Sequence, residues 1–549
     1  MSEKKSVVSS DYGGTLPVQT RSLCPECKRV LDAEIFAGED GKVYIHRKCP
    51  QHGEWNEIYW ESAEYYNWAK QFAAKARGVD NPNVGKEIEN NGKNCPMDCG
   101  LCANHHTHTG LANIALTNRC DLSCWYCFFY AKSGDPVYEP SMEQLRAMLE
   151  NLRSEKPIAT NALQLTGGEP TLRKDLPEIV EMARELGFEH IQLNTHGMVL
   201  GKDLELCKRL KKAGVNTLYM SFDGTTPQTN PKNHWEAPQA IENCRKAGIG
   251  IVLVPTLIRT VNEKDMGNIL NFGLNNLDVV RAVNFQPVSL VGRMPKNLRN
   301  QQRITIPGAL KEIEEQTNGL IARSDFFPIP CVSSVSEFVS ALSGQRQYEL
   351  SVHFACGAAT YLFLDGNKPV PITRFVNIEG LFEYLDEQAQ ELKKGKNKLL
   401  VGGKVVMKLG QFIDKKKQPK DLDLIKILYN ALVLHNYDAL GKIHERSMLV
   451  GMMHFMDPYN YDQQRVERCD IHYAMPDGRI IPFCSFNVLP ELYRDKVQAQ
   501  YSFSWKEFAE KFPQYDVNYK YKRDQEELEK NPLYQKAYLG QKEFFGREK

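Results

Sequence analysis

Cys120, Cys124 and Cys127 stand in a C-x3-C-x2-C spacing within Asn118–Phe129, directly after the apolar run Ile114-Ala115-Leu116. Thiols this close on a short loop constrain the chain more than any other stretch. Three thiolates hold three irons of a 4Fe-4S cluster, and no fourth cysteine follows at a ferredoxin spacing, so one iron stays open to a small molecule. A zinc half-site or a set of buried thiols is the competing reading. Tyr126 before the last cysteine and a second motif, Thr166-Gly167-Gly168-Glu169-Pro170, favour the cluster.

The chain has 549 residues, 42% hydrophobic and 25% charged, with a net charge of +1. That length implies roughly two to four domains. The near-neutral balance argues against a general nucleic-acid binder. No apolar run of about 18 residues and no cleavable leader is found, so the expected location is the cytoplasm. Most of the 15 cysteines fall in short clusters, which reads as metal ligation in a reducing compartment rather than as disulfides. Cys207 and Cys244 lie on amphipathic helical patterns and read as core.

The expected divisions are a mononuclear metal unit at 1–85, an auxiliary cluster segment at 86–110, a barrel at 111–300 and a covering, cluster-binding unit at 301–549. In the first, Cys24 and Cys27 form one knuckle, and Cys49 and His52 a second. A hairpin through Lys42–His46 brings them around one tetrahedral ion, zinc or a rubredoxin-like iron. A helix is expected over Glu61–Arg77. Cys95, Cys99 and Cys102 repeat the C-x3-C-x2-C spacing and read as an auxiliary cluster, whose fourth ligand is sought among His105, His106, His108 or a distant cysteine.

Six strand-helix repeats follow, with strands near 112–117, 162–166, 190–194, 217–222, 249–257 and 280–287. The fold expected is α/β, a partial (β/α)6 barrel with its chemistry at the carboxyl ends of the strands. Gly167 and Gly168 let backbone approach a ligand, and Glu169 accepts from an ammonium. Asn194 and His196, then Ser221 and Asp223, put polar groups on the rim; their alternative is a capped strand end. Arg259 suits a carboxylate, or is an ordinary surface arginine. Near the end, Asp477-Gly478 marks a hairpin that sets Cys469 and Cys484 at its two strand ends. With Cys331 and Cys356 they make the four thiolates of a closed cluster.

At the cysteine triad and the Gly-Gly-Glu-Pro element the chain resembles the radical S-adenosylmethionine (radical SAM) superfamily. The resemblance implies SAM at the open iron, reductive cleavage to a 5'-deoxyadenosyl radical, and contacts to SAM from Tyr126, Gly167, Gly168, Glu169, Asn194, His196, Ser221, Asp223 and Arg259. The order of the N-terminal knuckles, the second triad, the barrel and the Cys-x-Ile-His-Tyr segment at Cys469 resembles the tetraether lipid synthase branch. That branch implies a phospholipid substrate joined through its terminal methyl carbons, one or two auxiliary 4Fe-4S clusters, a peripheral membrane contact and a ferredoxin or flavodoxin reductant. One-carbon transfer to a pterin is the alternative. A wide apolar tunnel would favour lipid and a compact polar pocket the pterin.

Overall fold

The computed structural model describes residues 15–89, 92–129, 136–420, 422–432, 434, 446–516 and 519–547. The chain opens on an antiparallel sheet of four strands in sequence order: β1 (Val18–Leu23), β2 (Val30–Ala37), β3 (Val43–Cys49) and β4 (Gly53–Trp60). Alternate residues turn inward, as in Val18, Thr20 and Ser22 of β1. The other contact of this sheet is with a distant segment. Thr20 and Tyr59 donate to Asp462 at 2.7 and 2.8 Å, and Ser22 donates to the Tyr461 carbonyl at 2.6 Å. The helix expected over Glu61–Arg77 is only Ala63–Ala69 plus one tight turn, Lys70–Phe72. Trp68 and Phe72 there pack edge-on against Phe327, at 5.4 and 5.5 Å between ring centres, and the chain leaves the helix to keep that contact.

The six expected barrel strands are present: β5 (Leu111–Thr117), β6 (Ala162–Gly167), β7 (His190–Thr195), β8 (Thr217–Ser221), β9 (Gly250–Val254) and β10 (Val280–Pro287). They pair in parallel in that order. Further along, β11 (Gly357–Asp365), β12 (Ser447–Met453), β13 (Ile471–Ala474) and β14 (Ile480–Pro482) join the same sheet. Here the structure departs from the six-strand expectation. β12 lies parallel beyond β10, with Ala282 opposite Leu449, and β13 lies parallel beyond β5, with His472 opposite Ala112. From β13 through β5–β10 to β12, eight consecutive strands of the sheet therefore pair in parallel, and residues far beyond 300 build both flanks. β11 and β14 pair antiparallel at the outer sides.

The two-residue period of a strand explains why this wall encloses a site. Ile114, Leu116, Leu163, Leu165, Ile191, Leu193, Leu218 and Met220 belong to the main apolar core with the flanking helices. Their alternates, Asn113, Gln164, Gln192 and Tyr219, turn to the opposite side, into the barrel. Helices Met142–Arg153, Leu176–Glu185, Leu204–Ala213, Ala237–Ala247 and Met266–Asn275 follow the strands as expected. The first is fixed by a capping box in which Ser141 and Gln144 bond reciprocally. Cys207 and Cys244 are buried on these helices, in keeping with their reading as core.

Candidate active site

A cavity of about 310 Å3 lies inside the barrel and opens at the carboxyl ends of the strands. Cys120, Cys124 and Cys127 line it, and no fourth thiol does. That donor set fits a cluster with one iron left open. Gly167 and Gly168 hold the cysteine loop in place. Gly168 N–H donates to the Thr117 carbonyl and Glu169 N–H to the Arg119 carbonyl, both at 2.8 Å. Gly167 has φ +136°, and a Cβ on Gly168 would sit 2.1 Å from the Arg119 oxygen. Backbone packs on backbone here, which only glycine permits.

Glu169 is buried at the cavity wall. Its Oε1 accepts from the Thr171 and Thr195 hydroxyls at 2.5 and 2.8 Å, and its Oε2 from His196 N–H at 3.0 Å. The His196 ring lies 2.7 Å from Asp121 Oδ1 and 3.1 Å from Glu169 Oε2. Burial opposes the charge on His196, but Glu169 and hydrogen bonds to Asp121 and Cys120 carry its pKa well above the usual value. Its Nδ1 accepts from Met198 N–H at 3.3 Å, so Nε2 carries the proton toward the two carboxylates, and His196 braces the loop beside Cys120.

Asn194 and Ser221 also line the cavity. Asp223 lies behind it: Tyr126 OH donates to Asp223 Oδ2 at 2.5 Å, Lys232 Nζ lies 3.0 Å from the same oxygen, and Thr256 N–H reaches Oδ1 at 2.8 Å. Tyr126 and Lys232 form the wall in front, with the Lys232 ammonium 4.9 Å from the Tyr126 ring centre. Arg259 stands elsewhere. It pairs with Glu61 Oε1 at 2.5 Å and donates to the Arg303 carbonyl, tying the N-terminal sheet to the barrel. The lysine that lines the cavity is Lys232, which sequence reasoning missed because its loop carries no motif.

The floor of the cavity is polar. Gln164 Nε2 donates to Asn113 Oδ1 at 2.8 Å, and Gln192 Nε2 to Gln164 Oε1 at 2.5 Å. Asn284 and Gln286 both donate to the Tyr219 hydroxyl. The Asn113 Nδ2 group is buried with no hydrogen-bond partner. These amides were also missed. Their signal was a polar residue at the alternate position of strands that otherwise read as apolar.

From outside, the C-terminal tail clasps the cysteine loop. Lys520 Nζ donates to the Cys120 and Leu122 carbonyls at 2.9 and 3.3 Å, and Tyr521 N–H to the Asp121 carbonyl at 3.0 Å.

The other cysteines fall in three places. Cys24, Cys27, Cys49 and His52 bring their ligand atoms within 4.8 Å of one another. Burial opposes it, yet hydrogen bonds from the Gln51 backbone and from His52 bring the Cys49 thiol down to about 6. Cys95, Cys99 and Cys102 surround a small cleft with Asp98, His105 and Glu467. Of the three histidines considered as ligands, only His105 lines that cleft; its Nε2 also meets the Cys469 carbonyl at 2.8 Å and His472 Nε2 at 2.9 Å. Cys356, Cys469 and Cys484 neighbour one another, whereas Cys331 sits in the turn Ile329–Val332 beside Tyr65.

Comparison with known proteins bears on these sites directly. The family model described as "Radical SAM superfamily" matches residues 114–273, which contain the cysteine triad and the Gly-Gly-Glu-Pro loop. The chain belongs to the radical SAM superfamily. A second model, "HMPTM N-terminal zinc ribbon domain", matches residues 16–61, so the radical SAM barrel here carries an N-terminal zinc ribbon built on Cys24, Cys27, Cys49 and His52. The chain is 44% identical over 500 residues to the 7,8-dihydro-6-hydroxymethylpterin dimethyltransferase of Methanocaldococcus jannaschii, covering 89% of this chain and 96% of that protein, and it belongs to the same family. It is 32% identical to the Fe-coproporphyrin III synthase of Methanosarcina barkeri over 33% of this chain and 44% of that one.

The expectation of a lipid-coupling enzyme is corrected by this likeness. A relative that matches nearly end to end is named for a pterin and not as a tetraether lipid synthase, so the branch inferred from the terminal motifs, its phospholipid substrate and its membrane contact are given up. Those motifs are clusters of cysteine and histidine and say nothing of what enters the barrel. No helix among the described residues is long and apolar enough to cross a membrane.

Proposed function

We propose that this protein is a radical SAM methyltransferase acting on a pterin. The observation that carries the reading is the barrel floor of carboxamides, Asn113, Gln164, Gln192, Asn284 and Gln286, with the Asn113 amide donor unpartnered. A pterin presents ring nitrogens, an amino group and a carbonyl along one flat edge, and side-chain amides that both donate and accept are the complement of such an edge. An alkyl chain would leave the Asn113 amide donor buried without a partner. The near-full-length relative supports the same substrate class.

Cys120, Cys124 and Cys127 hold the cluster and the ribbon holds zinc. When bound, the cluster and SAM supply a 5'-deoxyadenosyl radical at the mouth of the cavity. The rest of the task falls to the chain. Glu169 and His196 fix the two loops that flank the cysteines, and Phe128, Phe455 and Phe483 give the cavity a dry side. Lys232, held by Asp223, offers its ammonium to the carboxylate of SAM. Lys232→Met is expected to raise the KM for SAM about 10- to 100-fold, the worth of a charged hydrogen bond. An unchanged KM in a deoxyadenosine assay would restrict Lys232 to its ion pair with Asp223.

The reading is tested by incubating anaerobically reconstituted protein with SAM, a low-potential reductant and 6-hydroxymethyl-7,8-dihydropterin. Mass spectrometry should show the pterin gaining one and then two CH2 units. Deoxyadenosine formed without any change in the pterin would reject the substrate while leaving the superfamily chemistry intact.

A further inference from the structure

Arg465 projects from the short helix Gln463–Val466 into the interior and is 1% exposed. Its Nη2 donates to the His454 carbonyl at 2.7 Å, and its guanidinium carbon lies 5.7 Å from the centre of the Tyr59 ring. Nε and Nη1 have no hydrogen-bond partner. The carboxylate three residues earlier, Asp462, already accepts from Thr20, Tyr59 and the Gln464 N–H. A buried guanidinium with two idle N–H groups is among the costliest arrangements a protein can hold, and one persists where an anion belongs.

Strand register shows what surrounds it. Gly357 lies opposite Met453, and Cys356 O accepts from His454 N–H at 2.9 Å, so Cys356 stands beside the residue that Arg465 holds. His472 lies opposite Pro482, which leaves Cys469 and Cys484 both just past the open end of the β13–β14 hairpin. Cys356 and Cys484 both lie near the Arg465 guanidinium. Cys469, whose N–H donates to the Val466 carbonyl at 3.1 Å, lies one turn beyond Arg465, so cysteines from both ends of the sheet gather around this cation.

We propose that Arg465 is the charge partner of an iron-sulfur cluster held by Cys356, Cys469 and Cys484, with Nε–H and Nη1–H directed at cluster sulfur. Hydrogen bonds and positive charge at the sulfurs favour the reduced form, so Arg465 sets this centre at a higher potential than it would have without it. The centre also borders the catalytic cavity and the second triad. Phe483 lines the cavity, Cys484 belongs to this group, and the Ser485 hydroxyl meets Cys99 Sγ at 3.2 Å, all within one turn of helix. An electron acceptor poised here is one side chain from both. This inference rests on the multi-cluster reading of the chain and not on the identity of the substrate.

The test compares wild type with Arg465→Met and Arg465→Lys, each anaerobically reconstituted. Iron and sulfide per chain, the midpoint potential by redox titration followed by electron paramagnetic resonance, and melting with and without metal are read. In Arg465→Met, one cluster signal should move to lower potential or be lost. Its loaded form should melt lower than loaded wild type, while its metal-free form melts no lower, because the variant removes an unpaired charge. Arg465→Lys should shift the same signal in the same direction but less, and it serves alone if Arg465→Met does not fold. Unchanged iron and potential, or equal destabilisation with and without metal, would overturn the proposal. A Cys356→Ala, Cys469→Ala double variant that keeps the full iron content of wild type would instead reject the cluster itself.

Discussion

Gly168→Ala is expected to cut deoxyadenosine formation by about 100-fold or more, the usual consequence of shifting a reactive group by about an ångström. The added carbon would stand 2.1 Å from the Arg119 carbonyl oxygen and 2.7 Å from its carbon. These are backbone atoms, so no side chain can rotate away. The Gly167–Glu169 loop must then back off the cysteine loop, breaking the two 2.8 Å hydrogen bonds that join them. Overpacking of this kind costs about 1–3 kcal/mol. Because Glu169 also anchors His196, the loss reaches the far side of the cavity. Deoxyadenosine measured by chromatography, alongside iron content and melting temperature, checks this; wild-type rates in a variant with normal iron would refute it.

The second large effect concerns the floor and should separate from the first. In Gln164→Leu, cleavage of SAM should continue while methylated pterin falls by about 100-fold. Gln164 bridges Asn113 and Gln192, so its loss leaves two buried amides without partners, at about 1–3 kcal/mol each. Gln164 lies three residues before Gly167, on the strand below the SAM loop, and makes no bond to that loop. Uncoupled deoxyadenosine with little product is therefore the signature. Equal loss of both would place Gln164 in cofactor binding and weaken the case that the pterin edge rests on the amides.

Much of this was legible beforehand because it is local. The cysteine spacing, the paired glycines and the six strands were read at nearly their observed bounds, since thiol intervals and apolar periodicity are written in adjacent residues. What was not legible is pairing between distant segments. Ser447–Met453 forms a strand parallel to residues 280–287, a pairing across more than 160 residues that no adjacent residue announces. Lys232 and Arg259 exchanged roles for the same reason: both are cations beyond a strand end, and only the fold shows that Glu61 claims one and the cavity the other. The substrate was misread because the branch motifs are cysteine clusters outside the barrel strands, whereas the cavity is lined by single polar residues inside apolar strands.

The two strands that flank the six, Ser447–Met453 and Ile471–Ala474, are made after all of them, and Met453, Phe455, Ile471 and Tyr473 supply one wall of the cavity. At ordinary rates of translation the loop bearing Cys127 leaves the ribosome roughly 20–70 s before residue 474 does. Throughout that interval its thiols stand at an open groove. The nascent chain thus presents a natural window for iron delivery, and for oxidation, which shuts only when the end of the polypeptide closes over it.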